Sequence, residues 1–424
     1  MLADWLRKLE SAHPAQIELG LDRVLAVAKR LGLDEARCPV ITVAGTNGKG
    51  SCVATIEQLL LATGRRTGVY TSPHLRRYNE RIRLDGREVS DVRLCAAFEA
   101  VEQARHGVSL SYFEHGTLAA LQVFRDSDPD WLVLEVGLGG RLDAVNIVAP
   151  SVAVVTSIGL DHQEWLGPDR ESIGREKAGI FRAGVPAVIG DRDPPRSLRD
   201  VADQTGARWY AIGESFDESA SADGSWAWRG RGHDGEAIVH AGLPAPQLIG
   251  SNVACALEAL ALCGALPDRE VLTRVLPNVA VEGRMQLLRH RGVECVLDVA
   301  HNPDGVQSLV RRLRSNPCGG RTLVVMGAMR DKDCQGMIKA LDGLAEGWFF
   351  ATLEGDRAET AAHLAALVPG EAPRSCHAGI AEALVAAFGM LLPGDRLLVC
   401  GSFFAVGPAL DWFEGQQEGA CRSP

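Results

Sequence analysis

The segment GTNGKGS, residues 45–51, concentrates groups that can do chemistry. Its glycines let backbone N–H groups close on an anion, Lys49 adds a point charge, and the helix start that follows favours negative charge. The β-branched run VITVA precedes it, and Val53, Ile56, Leu59 and Leu60 then recur at helical spacing up to a stop at Gly64. Strand, glycine turn and helix together read as a nucleotide phosphate loop. The spacing departs from G-x-x-x-x-G-K-[ST], because Gly50 separates Lys49 from Ser51. A second glycine turn, GLGGRL at 137–142, follows the strand WLVLEV. It lacks the third glycine of a dinucleotide fingerprint, so NAD binding is a minor alternative.

Three polar residues fall at or just past strand ends: Ser72 beyond Tyr70, Glu135 in WLVLEV and His162 in SIGLDH. Ligands of open parallel sheets sit at the carboxyl ends of strands, so these side chains would converge to hold Mg²⁺ beside ATP.

Short apolar strands at 39–44, Thr67–Tyr70, 131–136, 152–157 and Pro186–Ile189 alternate with helical stretches such as Asp91–Arg105, after an N-terminal region, 1–39, that reads as helical. This pattern predicts a parallel sheet covered on both faces. Residues 191–247 change to Pro, Gly, Ser and charge, with WAWRGRGHDGEAIVHAG reading as an exposed hairpin, and predict a small antiparallel appendage. A helix carrying Val253, Leu257 and Leu260 follows, then a linker near Glu282. Strands at 295–299, Thr322–Met326, 348–353 and Arg396–Cys400 alternate with helices beyond it. The expected fold class is therefore α/β: a P-loop-type, mostly parallel sheet domain over 1–282, followed by a smaller Rossmann-like α/β domain over 283–424.

The 424 residues are 46% hydrophobic and 23% charged, which excludes a disordered or fibrous chain. The apolar stretch at 397–410 is broken by Gly, Ser and Pro short of a bilayer span, and MLADWLRKLE has no secretory signal. No membrane contact and a cytoplasmic location are expected. Eleven scattered cysteines without a C-x-x-C pair argue against a disulfide framework or zinc. A net charge of −10 offers nucleic acid no favourable field.

The strings GTNGKGS, TSPHL, SYFE, LEVGLGGRLDAVN, GLDHQEWLG and ESIGREKAGIFR, followed in order by GRMQ, DVAHNP, GAMRDKD and GSFFAVGP, resemble the folylpolyglutamate synthase and dihydrofolate synthase family of Mur-type ATP-dependent ligases. The similarity spans essentially the whole chain. It implies ligation of L-glutamate to dihydropteroate and to folates: ATP phosphorylates a carboxylate, and the glutamate amine attacks the acyl phosphate. It also implies ATP contacts at Gly48, Lys49, Gly50, Ser51, Asn252, Arg284 and Asp298. Ser72, Glu135 and His162 match magnesium ligands. The dihydropteroate positions match Leu19, Gly20, Leu21 and Asp22, then Ser111, Tyr112 and Phe113, then Leu142, Asp143 and Ala144. Tyr112 and Phe113 would stack on the pterin, and Asp143 would accept from its N–H groups. Lys49, His301 and Lys332 count among the catalytic groups, the last two holding phosphate or glutamate. Lys177 matches a lysine carboxylated by CO₂. An ammonium would repel magnesium, whereas a carbamate is an oxygen ligand suited to a second Mg²⁺. Val145 stands where the family pattern GGRLDATN leads one to expect Thr.

The rivals are a Mur-type ligase acting on a UDP-linked precursor and a non-catalytic nucleotide-binding module. The 44 residues before Gly45 are few for a uridine-binding domain, and a mere binding module has no use for Lys177 with the second-half signatures. A monomer acting only on small molecules is expected.

Overall fold

Four- and five-residue runs of Val, Ile, Leu and Ala, buried on both faces, build the larger sheet. In the computed structural model, which describes residues 1–11 and 18–421, these strands are β1 (Val40–Ala44), β2 (Thr67–Tyr70), β5 (Trp131–Glu135), β6 (Val152–Val155) and β7 (Pro186–Ile189). β3 (Ile82–Leu84), β4 (Arg87–Glu88) and β8 (Arg208–Ala211) complete an eight-stranded order β4-β3-β2-β5-β1-β6-β7-β8. β2, β5, β1, β6, β7 and β8 pair in parallel, while β3 and β4 form an antiparallel edge. The part of the expected helical N-terminal region at 12–17 lies outside the described residues.

Helices α1 (Leu2–Ser11), α2 (Asp22–Leu31), α3 (Lys49–Ala62), α4 (Asp91–Arg105) and α5 (Tyr112–Ser127) precede β5 in the chain. α6 (Gln163–Leu166), α7 (Arg170–Lys177), α8 (Arg196–Thr205) and α9 (Gly250–Leu262) follow β6. α9 is buried along nearly its whole length and packs on α3 on one side and on a small antiparallel sheet on the other. That sheet holds β9 (Asp217–Ala220), β10 (Ser225–Arg231) and β11 (Ala237–Pro244) in the order β11-β10-β9.

Two expectations change here. The segment 191–247 is not all appendage, because its first third forms α8 and β8 and extends the parallel sheet. The run RWYA of β8 is short, opens on an arginine and lies in a stretch rich in Pro, Gly and charge, so its composition resembles a loop. Nor is the hairpin wholly exposed: Trp226 and Trp228 alternate inward and are buried against α9.

The chain divides into two compact units, Met1–Gly159 with Gln163–Ala280, and Val281–Pro424 with the short segment Leu160–His162. In the second, β12 (Gln286–His290), β13 (Val293–Leu297), β14 (Thr322–Met326), β15 (Gly347–Ala351), β16 (Arg374–His377) and β17 (Arg396–Cys400) take the order β12-β13-β17-β14-β15-β16. Only β12 runs antiparallel. Val296, Val324, Met326, Phe350 and Leu398 form its core with helix residues such as Leu309 and Ile338. Both units are α/β with parallel-rich sheets. No helix among the described residues is long and apolar enough to cross a membrane.

Candidate active site

The glycine loop leaves β1 and enters α3 with Gly45 and Gly48 at φ +148° and +91°, conformations that suit glycine. A Cβ at Gly45 would strike Thr156, and one at Gly48 would strike the Asn252 amide. The end of β6 anchors the loop. Thr156 and Ser157 hydroxyls donate to the Asn47 carbonyl at 2.7 and 3.0 Å, and Asn47 N–H donates to Ser157 Oγ at 3.1 Å. Thr46 Oγ1 donates to Gly159 O and accepts from Gly159 N–H. The first turn of α3 therefore starts at a fixed place, with Lys49, Gly50 and Ser51 at its N-terminus. Sequence reading overlooked Thr156 and Ser157, although hydroxyls directly after VAVV were the available signal.

Lys49 Nζ turns back to the Gly45 carbonyl at 3.2 Å, and Lys177 Nζ donates to that same oxygen at 3.0 Å. Lys177, the last residue of α7, is 5% exposed, so it is no surface lysine. Gly140 makes room for it, since a Cβ there would meet the Glu176 and Lys177 backbone. Glu135 is buried at the end of β5, and its carboxylate accepts the Ser72 N–H at 3.2 Å. Lys49, Lys177, Asn252, Glu135 and Ser72 thus gather at the carboxyl ends of neighbouring strands. Among the described residues no three His, Cys, Asp or Glu side chains cluster as a metal cage.

The three segments expected to hold the acceptor also share one neighbourhood. Leu21, Tyr112, Phe113 and Ala144 pack in a single cluster with Tyr70 and Tyr78. Ser111 caps α5 with Glu114, and Glu114 pairs with Arg23 of α2 at 2.9 Å, which ties the Leu19–Asp22 segment to Ser111–Phe113. Leu19 and Leu142 are half-buried, Asp22 is exposed, and a Cβ on Gly20 would meet nothing. Asp143 is buried. Its oxygens accept from Leu138 and Val145 N–H at 2.8 and 2.9 Å, and burial pushes its carboxyl up to about 6 despite those donors. Part of its acceptor capacity is therefore committed to the backbone. Val145 is buried in the apolar cluster.

In the second unit, Asp161 organises two expected residues. Lys332 Nζ lies 2.6 Å from Oδ1 and His301 Nε2 3.3 Å from Oδ2, which also accepts from Asn302 Nδ2 at 3.1 Å. Burial alone would raise this carboxyl, but His301, Lys332 and His162 hold it well below the usual range. These bonds explain why Leu160–His162 group with the second unit instead of with the strand they follow. His162 sits at φ +51°, its Nε2 3.4 Å from Lys332 Nζ. Asp161 was not singled out from sequence, although it adjoins His162. Asp298, past the end of β13, accepts from Met285 and Ala300 N–H, both at 2.8 Å, and burial raises its carboxyl. The Arg284 guanidinium lies 5.3 Å from the Phe403 ring centroid.

Comparison with known proteins gives the class first. The Mur ligase middle domain matches residues 43–231, and the Mur ligase glutamate ligase domain matches residues 283–403. A dihydrofolate synthase/folylpolyglutamate synthase of Escherichia coli K12 is 42% identical over 419 residues, covering 99% of this chain and 97% of its own. Escherichia coli FolC solved in complex with DHPP and ADP superposes with a TM-score of 0.94 at 42% identity, covering 98% of each chain. A bifunctional folylpolyglutamate synthase/dihydrofolate synthase with Mn, AMPPNP and L-glutamate bound gives 0.90 at 42% identity, over 97% of this chain and 98% of that one. The chain belongs to the dihydrofolate synthase/folylpolyglutamate synthase family of Mur-type ligases.

Proposed function

We infer that the protein is an ATP-dependent ligase that joins L-glutamate to dihydropteroate, making dihydrofolate, and to folates, extending their glutamate tails. The observation that carries this is identity of 42% over nearly the whole chain to an enzyme named for both activities. The loop geometry supports it: a helix N-terminus with Lys49, braced by Asn252, suits a nucleotide phosphate chain. In the first step the acceptor carboxylate attacks the γ-phosphorus and ADP departs. In the second the glutamate amine attacks the acyl carbon, loses a proton, and phosphate leaves.

Gly48, Lys49, Gly50 and Ser51 offset charge on the phosphates, and Asn252, Arg284 and Asp298 are nucleotide contacts in this reading. His301 and Lys332, oriented by Asp161, hold phosphate or glutamate. The acceptor lies against Leu19–Asp22, Ser111–Phe113 and 142–144. A buried carboxylate beside a serine, Glu135 with Ser72, is a donor set that fits a hard cation. The proposed ligands are Ser72, Glu135 and His162, with Lys177 as a carbamate for a second ion. Mg²⁺, when bound, supplies charge stabilisation for phosphoryl transfer. The ten described cysteines are free thiols, which fits work in the cytoplasm, and we take the enzyme to act as a monomer.

The test is ADP release with ATP, Mg²⁺ and glutamate in the presence of dihydropteroate, tetrahydrofolate or a UDP-muramyl substrate. Turnover is expected with the first two. Turnover confined to the UDP substrate would overturn the reading, and turnover with tetrahydrofolate alone would reduce it to tail extension.

A further inference from the structure

The loop 137–146 and the end of α7 meet backbone to backbone. A Cβ on Gly140 would lie 2.8 Å from the Glu176 and Lys177 carbonyl oxygens, and one on Gly179 would collide with Arg141 Cα and Cβ. One glycine on each side therefore lets the two segments touch. Across the contact, Arg141 N–H donates to Glu176 O at 2.8 Å.

Arg182 closes this seam. Its Nη1 donates to the Gly179 and Phe181 carbonyls at 3.1 and 3.0 Å, and its Nη2 donates to the Asn146 carbonyl and Asn146 Oδ1 at 3.1 and 2.7 Å. Asn146 is buried and returns the contact, its Nδ2 donating to Gly179 O at 3.0 Å and to Arg141 O at 3.1 Å. Among the described residues no carboxylate forms an ion pair with Arg182, and burial alone disfavours its charge. The position uses the rigid fork of donors that a guanidinium provides, not a counter-charge. The Arg141–Glu176 ion pair at the same seam has its arginine 54% exposed, and such a pair adds little. Arg182 and Asn146 are thus the side chains that hold the two segments together.

The segments serve different parts of the proposed reaction. Leu142, Asp143 and Ala144 lie in the loop proposed for the acceptor, while α7 ends on Lys177, whose Nζ reaches the Gly45 carbonyl of the phosphate loop. The end of α7 therefore touches the acceptor loop on one side and the phosphate loop on the other. Attack requires the acceptor carboxylate to stand roughly 3–3.5 Å from the γ-phosphorus, and small misplacements are costly. We propose that Arg182, together with Asn146, is a positioning residue that sets the spacing between acceptor and phosphate loop, and so governs acyl-phosphate formation and not nucleotide binding. The proposal rests on the ligase reading of the previous section.

Arg182→Gln should lower kcat at saturating dihydropteroate by about tenfold or more, while the Kd for ADP, measured without acceptor, stays within about twofold of wild type. Arg182→Lys should fall between, since an ammonium cannot span both segments as a guanidinium does. An unchanged kcat would overturn the proposal. So would ADP affinity that falls in step with kcat, because general loosening of the fold produces that result. Should Arg182→Gln fail to fold, Asn146→Ala takes its place, and the same split between kcat and ADP affinity is expected of it. Where both variants fold, their combined loss should fall short of the product of the single losses; a full product means that the two residues act separately and overturns the shared role. Wild-type protein that turns over no acceptor would overturn the ligase reading itself, and that result needs no variant.

Discussion

Lys177 lies buried at the end of α7, its ammonium held by a carbonyl of the phosphate loop. As a carbamate it would exchange a cation for an anion where phosphate and metal charge must be balanced. Lys177→Ala should retain nucleotide affinity yet lose turnover by about 10² or more, and formate should restore a part of it. Wild-type turnover in the variant would remove Lys177 from the site. His115 presents the opposite case, a buried ring with neither nitrogen hydrogen-bonded, packed on Trp5 and Phe98. Burial holds its pKa down at about 4 from 6.5, with Glu102 opposing and Arg105 and Lys8 assisting. Between these values the unfolded chain binds a proton that the native one refuses, so stability falls as pH drops from 6.5 towards 4, by up to about 3 kcal/mol from this residue. His115→Phe should flatten that part of the stability curve. Thermal melts between pH 7 and pH 4.5 with identical slopes would contradict it.

Between α3 and α9 the packing leaves no room for a side chain at position 48. Gly48→Ala would force a Cβ into the Asn252 amide at a left-handed φ, costing about 1–3 kcal/mol and weakening nucleotide binding. Adding Asn252→Ala should recover the collision but not the backbone strain, so a double-mutant cycle of stabilities should be non-additive. The other side of α9 buries Glu258 completely, with both carboxylate oxygens facing the Arg231 N–H. Burial pushes this carboxyl up to about 8 from 4.5. The native state thus keeps a proton that the unfolded chain has lost, and stability falls as pH rises from 4.5 through 8. Glu258→Gln retains an acceptor for Arg231, so its Tm should gain on the wild type as pH goes from 5 to 8. A constant difference would refute this. Such elements also show what a sequence reader can see. β1, β5, β6 and β14 announce themselves as continuous apolar runs, whereas β8, β12 and β16 carry polar residues at sheet edges and are specified by their neighbours instead of by periodicity.

Across the whole molecule, the central strands of the two larger sheets and the phosphate loop of the first were legible because βαβ patterning is local. The interactions that tune the site were not. Thr156 and Ser157 meet Asn47 across more than a hundred residues, and Asp161 meets His301 and Lys332 across still more, so no local spacing encodes them. One contact bears on how the enzyme is handled. The Gly45 carbonyl receives hydrogen bonds from both Lys49 and Lys177. A carbamate keeps one N–H where an ammonium has three, and its new oxygens are repelled by a carbonyl oxygen, so a carboxylated Lys177 would hold Gly45 through a single donor or turn away from it. Were Lys177 carboxylated, the loop would be braced differently before and after gas capture. Enzyme degassed at low pH and returned to assay buffer should show a lag before steady turnover, shortened in proportion to added bicarbonate; progress curves linear from the first seconds at every bicarbonate level would speak against a carbamate that forms on the assay timescale.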